Sequence, residues 1–234
     1  MTPVLDNPVW HALISGNKAL ALGTDTVKVF PKEISPIVGL QEYTTANFNI
    51  LYDITSFDRT IVLFSAEDQV IPDSWRVLHR ISGLQMVYAG SPLPELRDDE
   101  EIISLTDEHI SQMLLLTKLT NPGPFAARTI DFGYYQGILK DGELVAMAGQ
   151  RLHLYNYAEI SAVCTHPHHT GKGYARQLLL RQMYRMLAAG NTPFLHVRNE
   201  NSRAINVYKN IGFETRKEMY FFVLKKNDNA NASL

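Results

Sequence analysis

The sequence predicts an α/β protein in which a larger, mostly antiparallel part follows a smaller mixed one. Three features carry that expectation. A hairpin signal, Asp141-Gly142, separates two apolar runs; a glycine loop, Gly171-Lys172-Gly173, opens a long amphipathic stretch; and Ser91–Glu101 combines two prolines with an acidic run. The last reads as a linker or long surface loop. It divides the chain into residues 1–95, residues 96–226 and a polar tail, 227–234, expected to be disordered. With 45% hydrophobic and 20% charged residues in 234, the composition is that of a globular protein and excludes collagen, coiled coil and general disorder.

In the first part a helix is expected after Asp6-Asn7, with Pro8 in its first turn and Val9, Ala12 and Leu13 on one face. Thr26–Phe30, Thr60–Ser65 and Leu84–Ala89 read as strands. In the second part Ile102–Leu105 is a short strand, and Asp107 is expected to cap a helix that ends before Asn121-Pro122-Gly123-Pro124. Tyr134–Leu139 and Leu144–Gly149 form the hairpin, and a turn at Tyr155-Asn156-Tyr157 leads into a third strand, Glu159–Cys164. The helix after the glycine loop carries Ala175, Leu178, Leu179, Met183, Met186 and Leu187 at three-and-four spacing, and Gly190 and Pro193 stop it. Phe194–Val197 is a strand. Asn201 can cap a helix with Ala204, Ile205, Tyr208 and Ile211, and Met219–Leu224 closes the fold.

Charge is distributed unevenly. Residues 1–100 sum to -6 and residues 164–226 to +8, although the chain as a whole is at -2. Such asymmetry points to an anionic ligand for the second part. No basic run is interleaved with aromatics as a strand-binding groove requires, so a small polyphosphate is favoured over nucleic acid. A single cysteine, Cys164, excludes an intramolecular disulfide and an all-cysteine zinc site. Cys164, His166, His168 and His169 lie close in sequence, but Pro167 interrupts them and no further cysteine completes a four-ligand set; we read a loop of ordinary histidines and no metal. The opening MTPVLDNPVW has neither a basic nor an apolar leader pattern, and a cytoplasmic protein without membrane association is expected.

A glycine loop at a helix start is a device for holding phosphate. The first helical N–H groups lack partners within the helix, the dipole adds partial positive charge, and glycine permits close approach. Three devices share this outline. The Walker loop requires Ser or Thr after its lysine, where this chain has Gly173. The dinucleotide fingerprint fails because Arg176 or Gln177 stands where its third glycine belongs. The third is that of acyl-CoA enzymes. Thr170-Gly171-Lys172-Gly173-Tyr174-Ala175 resembles the pyrophosphate motif Gln/Arg-x-x-Gly-x-Gly/Ala of the GNAT superfamily of acyl-CoA-dependent N-acyltransferases, with Thr170 in place of Gln or Arg. Downstream, Asn201-x-x-Ala204-Ile205-x-x-Tyr208-x-x-x-Gly212-Phe213 matches a second motif of that superfamily at every named position. The phrases around Glu159–Pro167 and Gly173–Leu179 look most like the branch of glycine-N-acyltransferase-like enzymes, in which a degenerate GNAT-like half precedes the catalytic one.

The resemblance implies a central, mixed, mostly antiparallel sheet flanked by helices, with residues 1–95 as the degenerate half and 96–226 as the catalytic domain. It implies acetyl-CoA as acyl donor and a small-molecule or peptide primary amine as acceptor, attacked directly in a ternary complex; monomer and homodimer are both open. Ala162, Val163, Cys164 and Thr165 would face the pantetheine arm, Thr170, Gly171, Lys172, Gly173, Tyr174 and Ala175 the pyrophosphate, and Asn201 the cofactor beyond the next strand. Tyr208 would sit near the thioester sulfur and protonate the thiolate, a weak acid of ordinary pKa about 10 set against a thiol near 8.5. Glu159 is the candidate base for the attacking amine, the alternative being a solvent-facing residue of the sheet. A non-catalytic acyl-CoA-binding protein is the second reading, and a nucleic-acid-binding domain a remote third.

Overall fold

The computed structural model describes residues 3–90, 92–96 and 101–227. In chain order its main elements are α1 (Pro8–Ile14), β1 (Leu22–Gly23), β2 (Val27–Val29), β3 (Ile37–Leu40), α2 (Thr45–Ile54), β4 (Ile61–Ser65), β5 (Trp75–Tyr88), β6 (Ile103–Ser104), α3 (Ile110–Thr120), β7 (Gln136–Lys140), β8 (Glu143–Leu154), β9 (Tyr157–Thr165), α4 (Tyr174–Ala188), β10 (Thr192–Arg198), α5 (Ser202–Lys209) and β11 (Phe213–Lys226). All eleven strands form one sheet in the order β1-β2-β3-β4-β11-β5-β10-β9-β8-β7-β6. Two neighbouring pairs are parallel, β3 with β4 and β9 with β10, and the rest are antiparallel. Each parallel pair needs a crossover, supplied by α2 and by α4. The final strand of each half lies against the other half: β5 runs between β10 and β11, and β11 pairs with β4. The sheet is thus continuous across residue 95.

Side-chain alternation sorts the core to two faces. Ile37, Val62, Phe64, Phe194 and Phe221 point toward α1 and α3, with Leu13, Met113 and Leu152. On the opposite face α4 and α5 bury Leu179, Met183 and Tyr208 against Met86, Ile160 and Phe213, while α2 covers Val38, Leu63 and Phe222 with Phe48 and Leu51. The described part of the expected linker, residues 92–96, lies along α4: Leu93 and Leu96 join that cluster, and the Tyr184 hydroxyl donates to the Pro94 carbonyl at 3.2 Å. The rest of the linker, and the tail beyond Asn227, lie outside the described residues. No described helix is long and apolar enough to cross a membrane.

Several boundaries differ from the sequence expectation, each for a local reason. The first half of β5, Trp75–Ser82, and the polar start of β11 escape recognition because their side chains do not alternate. They are strands because they pair with each other, from Trp75↔Lys226 to Tyr88↔Phe213. β3 is buried at all four positions and so gives no period-two signal. Thr106, and not Asp107, caps the short 3₁₀ turn Asp107–His109 that leads into α3, closing a capping box with the His109 side chain; Asp107 instead pairs with Arg128 at 3.0 Å.

Gly83 marks a close approach where β5, β10 and β11 meet. A Cβ there would lie 2.5 Å from the Phe221 ring and 2.6 Å from the Val197 carbonyl oxygen. Gly83→Val is expected to cost about 1–3 kcal/mol through overpacking and to lower the melting temperature by roughly 2–12 °C, read by calorimetry.

Candidate active site

The site begins at a fork. β10 pairs with β9 over three positions only, Thr192↔Tyr157, Pro193↔Ala158 and Phe194↔Glu159, and beyond them it is held by β5 on its other side. A cavity of about 710 Å³ occupies the gap, walled by Ile160–Thr165 of β9, His196–Arg198 of β10, the segment Thr120–Pro124, and Asn201, Arg203 and Tyr208 at α5. It reaches both faces of the sheet, since Phe64, Arg151 and Phe221 line it as well.

Two irregularities in the β8–β9 ladder shape its wall. Between Met147↔Cys164 and Gly149↔Ser161 the strand β9 carries one residue more than its partner, and Ala162 there takes φ +53°. A non-glycine residue in this region is strained and redirects the neighbouring peptide groups, a feature that clusters at functional sites. The Thr165 hydroxyl in the same wall is buried without a hydrogen-bond partner. On the other side, between Gln150↔Ile160 and His153↔Ala158, β8 carries the extra residue. That bulge sets Arg151 and Leu152 together against Glu159.

Glu159 is fully buried. One carboxylate oxygen, Oε1, accepts from Arg151 Nη2 at 2.5 Å and from His196 Nδ1 at 2.7 Å; Oε2 accepts from Arg151 Nε at 2.8 Å and from the Leu152 amide at 3.3 Å. Burial opposes ionisation, but the Arg151 charge and hydrogen bonds, with that of His196, outweigh it and pull the pKa down to about 2. The solvent-facing alternative is therefore excluded. A carboxylate held this way is also a poor proton acceptor at neutral pH, and Glu159 does not line the cavity. His196 and Arg151, which the sequence left unassigned, do line it, and Phe64, Phe194 and Phe221 box the imidazole with centroids 5.2–5.7 Å away.

Tyr208 stands in the cavity wall, its ring edge-on to Phe213, and desolvation raises its pKa to about 12. Its hydroxyl therefore holds its proton at neutral pH. Asn201 caps α5, accepting from the Ala204 amide at 3.1 Å, and lines the same cavity. Cys164 lies in this wall too; burial pushes its thiol up to about 12, against hydrogen bonds with Thr120 and Met147.

The glycine loop forms the start of α4. Gly171 and Gly173 have φ of +82° and +83°, and a Cβ built on either would meet nothing within 4 Å. No side chain caps the helix. Lys172 and Lys140, the latter not foreseen, both lie over the Tyr174 ring, at 6.0 and 5.9 Å from its centroid. Partial burial and the charges of Lys172, His166, His168 and Lys140 disfavour protonation of His169. The Thr170 hydroxyl is spent on the Pro167 carbonyl at 3.0 Å, and the Tyr174 side chain is buried in the core beside Leu178. Ala175 is half-buried in the first turn, so this loop offers backbone and lysine charge more than hydroxyls. The His166–His169 stretch is a short 3₁₀ turn in which His166 Nδ1 accepts from the His168 amide, and no metal-binding group occurs among the described residues.

The comparisons with known proteins agree with this layout. The model of the FR47-like protein family matches residues 135–222, from β7 to β11. A crystal structure from Novosphingobium aromaticivorans DSM 12444, of a protein assigned to the GNAT family of acetyltransferases, shares 30% identity with the chain. The match covers 96% of this chain and 99% of that one, with a TM-score of 0.88. A GCN5-related N-acetyltransferase from Kribbella flavida matches over 97% and 98% of the two chains with 12% identity and a TM-score of 0.65, a likeness of fold alone. No curated protein matches the chain. The chain belongs to the GNAT family of acetyltransferases, and the mixed, mostly antiparallel sheet with flanking helices is the fold of that family.

The Arg151–Glu159 pair sets two measurable expectations. Glu159→Gln leaves a buried guanidinium without its counter-charge and should cost about 3–5 kcal/mol, a fall of roughly 6–20 °C in melting temperature. Because the folded pKa of about 2 lies below the ordinary value of 4.5, the stability this carboxylate contributes is present above about pH 4.5 and lost as pH falls toward 2. Acid unfolding of wild type should show that loss, and Glu159→Gln should lack it.

Proposed function

We propose that this protein transfers an acetyl group from acetyl-CoA to a primary amine by direct attack in a ternary complex. The observation that carries the reading is one continuous cavity at the β9–β10 fork whose wall includes the strained strand at Ala162 and, from the second sequence motif, Asn201 and Tyr208; the glycine loop of the first motif lies outside that wall, at the start of α4. The surroundings fit a phosphorylated thioester. Gly171 and Gly173 leave open space where any side chain would intrude, Lys172 and Lys140 supply charge, and the Thr165 hydroxyl lacks a partner that an amide-bearing arm can provide. Acetyl-CoA brings the activated carbonyl. Gly171–Ala175 would bind its pyrophosphate, and Ala162–Thr165 and Asn201 its arm.

The chain's own groups then have distinct tasks. Backbone N–H groups at the Ala162 bulge are candidates to stabilise the developing oxyanion. Tyr208, protonated and desolvated, donates a hydrogen bond to the departing sulfur. With a pKa above that of a thiol it steadies the thiolate and does not surrender its proton to it outright. Glu159 orients Arg151 and His196. This replaces the base role expected for its carboxylate, which four donors already fill. Residues 1–95 we read as a GNAT-derived half, since β3–α2–β4 repeats the strand–helix–parallel-strand order of β9–α4–β10. The branch resembling glycine-N-acyltransferase-like enzymes remains our placement on sequence phrases, as does the cytoplasm.

Acetyl-CoA at about 100 times its Kd should raise the melting temperature by roughly 5–10 °C. A bulky replacement, Gly173→Val, should weaken that binding in calorimetry. Tyr208→Phe should keep acetyl-CoA affinity while lowering kcat for acetyl transfer about 10²-fold. Folded protein that does not bind millimolar acetyl-CoA would rule the reading out. Binding without transfer to any amine would favour a non-catalytic acyl-CoA-binding protein.

A further inference from the structure

The groups around the cavity fix the protonation state in which an acceptor amine is usable. On β8, Arg151 directs Nε and Nη2 to Glu159 and remains a cation in the wall. On β9, Glu159 lies behind that wall with both oxygens taken, and the Cys164 thiol keeps its proton. On α5, Tyr208 is protonated and Arg203 adds a guanidinium, as does Arg198 at the end of β10, which pairs with Glu200 at 3.9 Å. The lining from β4, β5, β11 and the Thr120–Pro124 segment has no titratable side chain among the described residues.

That leaves His196 on β10, and its lone pair is also occupied. Its Nδ1 donates to Glu159 at 2.7 Å, and its Nε2 lies 3.1 Å from the Gln85 side-chain nitrogen, directly across the β5–β10 ladder. The direction of the second bond follows from the fully buried Gln85. Its Oε1 accepts from Arg216 Nη1 at 2.8 Å, so its nitrogen is the donor end; one N–H goes to the Leu5 carbonyl at 2.8 Å and the other to His196 Nε2. Arg216 sits at the β5–β11 bulge and is fixed by Asp6 at 2.6 Å, which also pairs with Lys217. A proton on Nε2 would set donor against donor. Reversing the amide would turn its N–H groups on Arg216 instead.

We propose that the cavity accepts its acceptor as the free amine, and so selects weakly basic primary amines over alkylammonium ions of the lysine type. The proposal rests on the acetyl-transfer reading. A neutral amine forms the N–C bond as the C–S bond breaks, and one N–H proton passes to the departing sulfur; atoms and charge balance with no external base. An ammonium must first lose a proton that no described side chain of the cavity is placed to accept, and the guanidinium groups of Arg151, Arg198 and Arg203 in the wall offer it no counter-charge. At pH 7 an amine of pKa about 7.7–8.0 is free base a few hundred times more often than one of about 10.4.

The test uses the full chain, acetyl-CoA and two amines of similar size, ethylamine and the less basic 2,2-difluoroethylamine. Expected is a kcat/KM at pH 7 at least about tenfold higher for the fluorinated amine, free-base fraction outweighing reduced nucleophilicity. For each amine, kcat/KM should rise with pH and level off at that amine's own pKa. Equal use of both at pH 7, or a break at one shared pH, overturns the inference. So does turnover of neither while calorimetry shows acetyl-CoA bound, an outcome that leaves the cofactor assignment standing. Absence of acetyl-CoA binding removes both.

Discussion

The structure depends on Glu159 at the point where β9 and β10 part. The last paired position of the two strands is Phe194↔Glu159, and the next residue of β10 on the same face, His196, reaches back to the Glu159 carboxylate. The hydrogen bond spans the opening of the fork. Without β5 on the far side, β10 would have no ladder beyond Phe194, so the cavity exists because a strand from the first half of the chain holds one wall while β8 holds the other. The buried carboxylate is tolerable only because Arg151 and His196 satisfy it, and both are brought to it by specific backbone features: a bulge in β8 and the cross-strand position opposite Gln85.

From this follows a division of labour between the faces of the sheet. The α4–α5 side presents open glycines, lysine charge and a protonated phenol, which suit a phosphorylated thioester. The α1–α3 side presents an arginine, a boxed imidazole and aromatic walls. The chain from Asp6 through Arg216 and Gln85 to His196 ties the second side to the N-terminal segment. The first half of the protein therefore does more than cover one edge of the sheet. It sets the hydrogen-bonding state of a cavity residue contributed by the second half.

Much of the geometry of the α4–α5 side was legible in the sequence, since its elements are marked by short contiguous patterns. Gly171-Lys172-Gly173 opens a helix because glycine alone reaches those φ values cheaply, and Asn201 and Tyr208 are fixed relative to one another by a single helix. The other side was not legible. Arg151, His196, Gln85 and Arg216 lie on four different strands, and their meeting depends on two bulges and on the insertion of β5 between β10 and β11. Glu159 was located correctly on its strand, but no local signal distinguishes a carboxylate free to take a proton from one filled by donors 8 residues before it and 37 after it. The same reasoning covers the strands. Longer apolar runs such as β4 and β8 were found, while β3, only four residues long, and the polar starts of β5 and β11 required their partners to be seen.

The closed chain of hydrogen bonds from Arg151 to Asp6 is the central claim, and ¹⁵N spectroscopy of the His196 ring tests it directly. Nδ1 should carry the proton bonded to Glu159 and Nε2 should show the signal of a hydrogen-bond acceptor, and Gln85→Leu should change the Nε2 signal while leaving Nδ1 bonded to Glu159. A proton found on Nε2, or an Nε2 signal indifferent to Gln85, would contradict it.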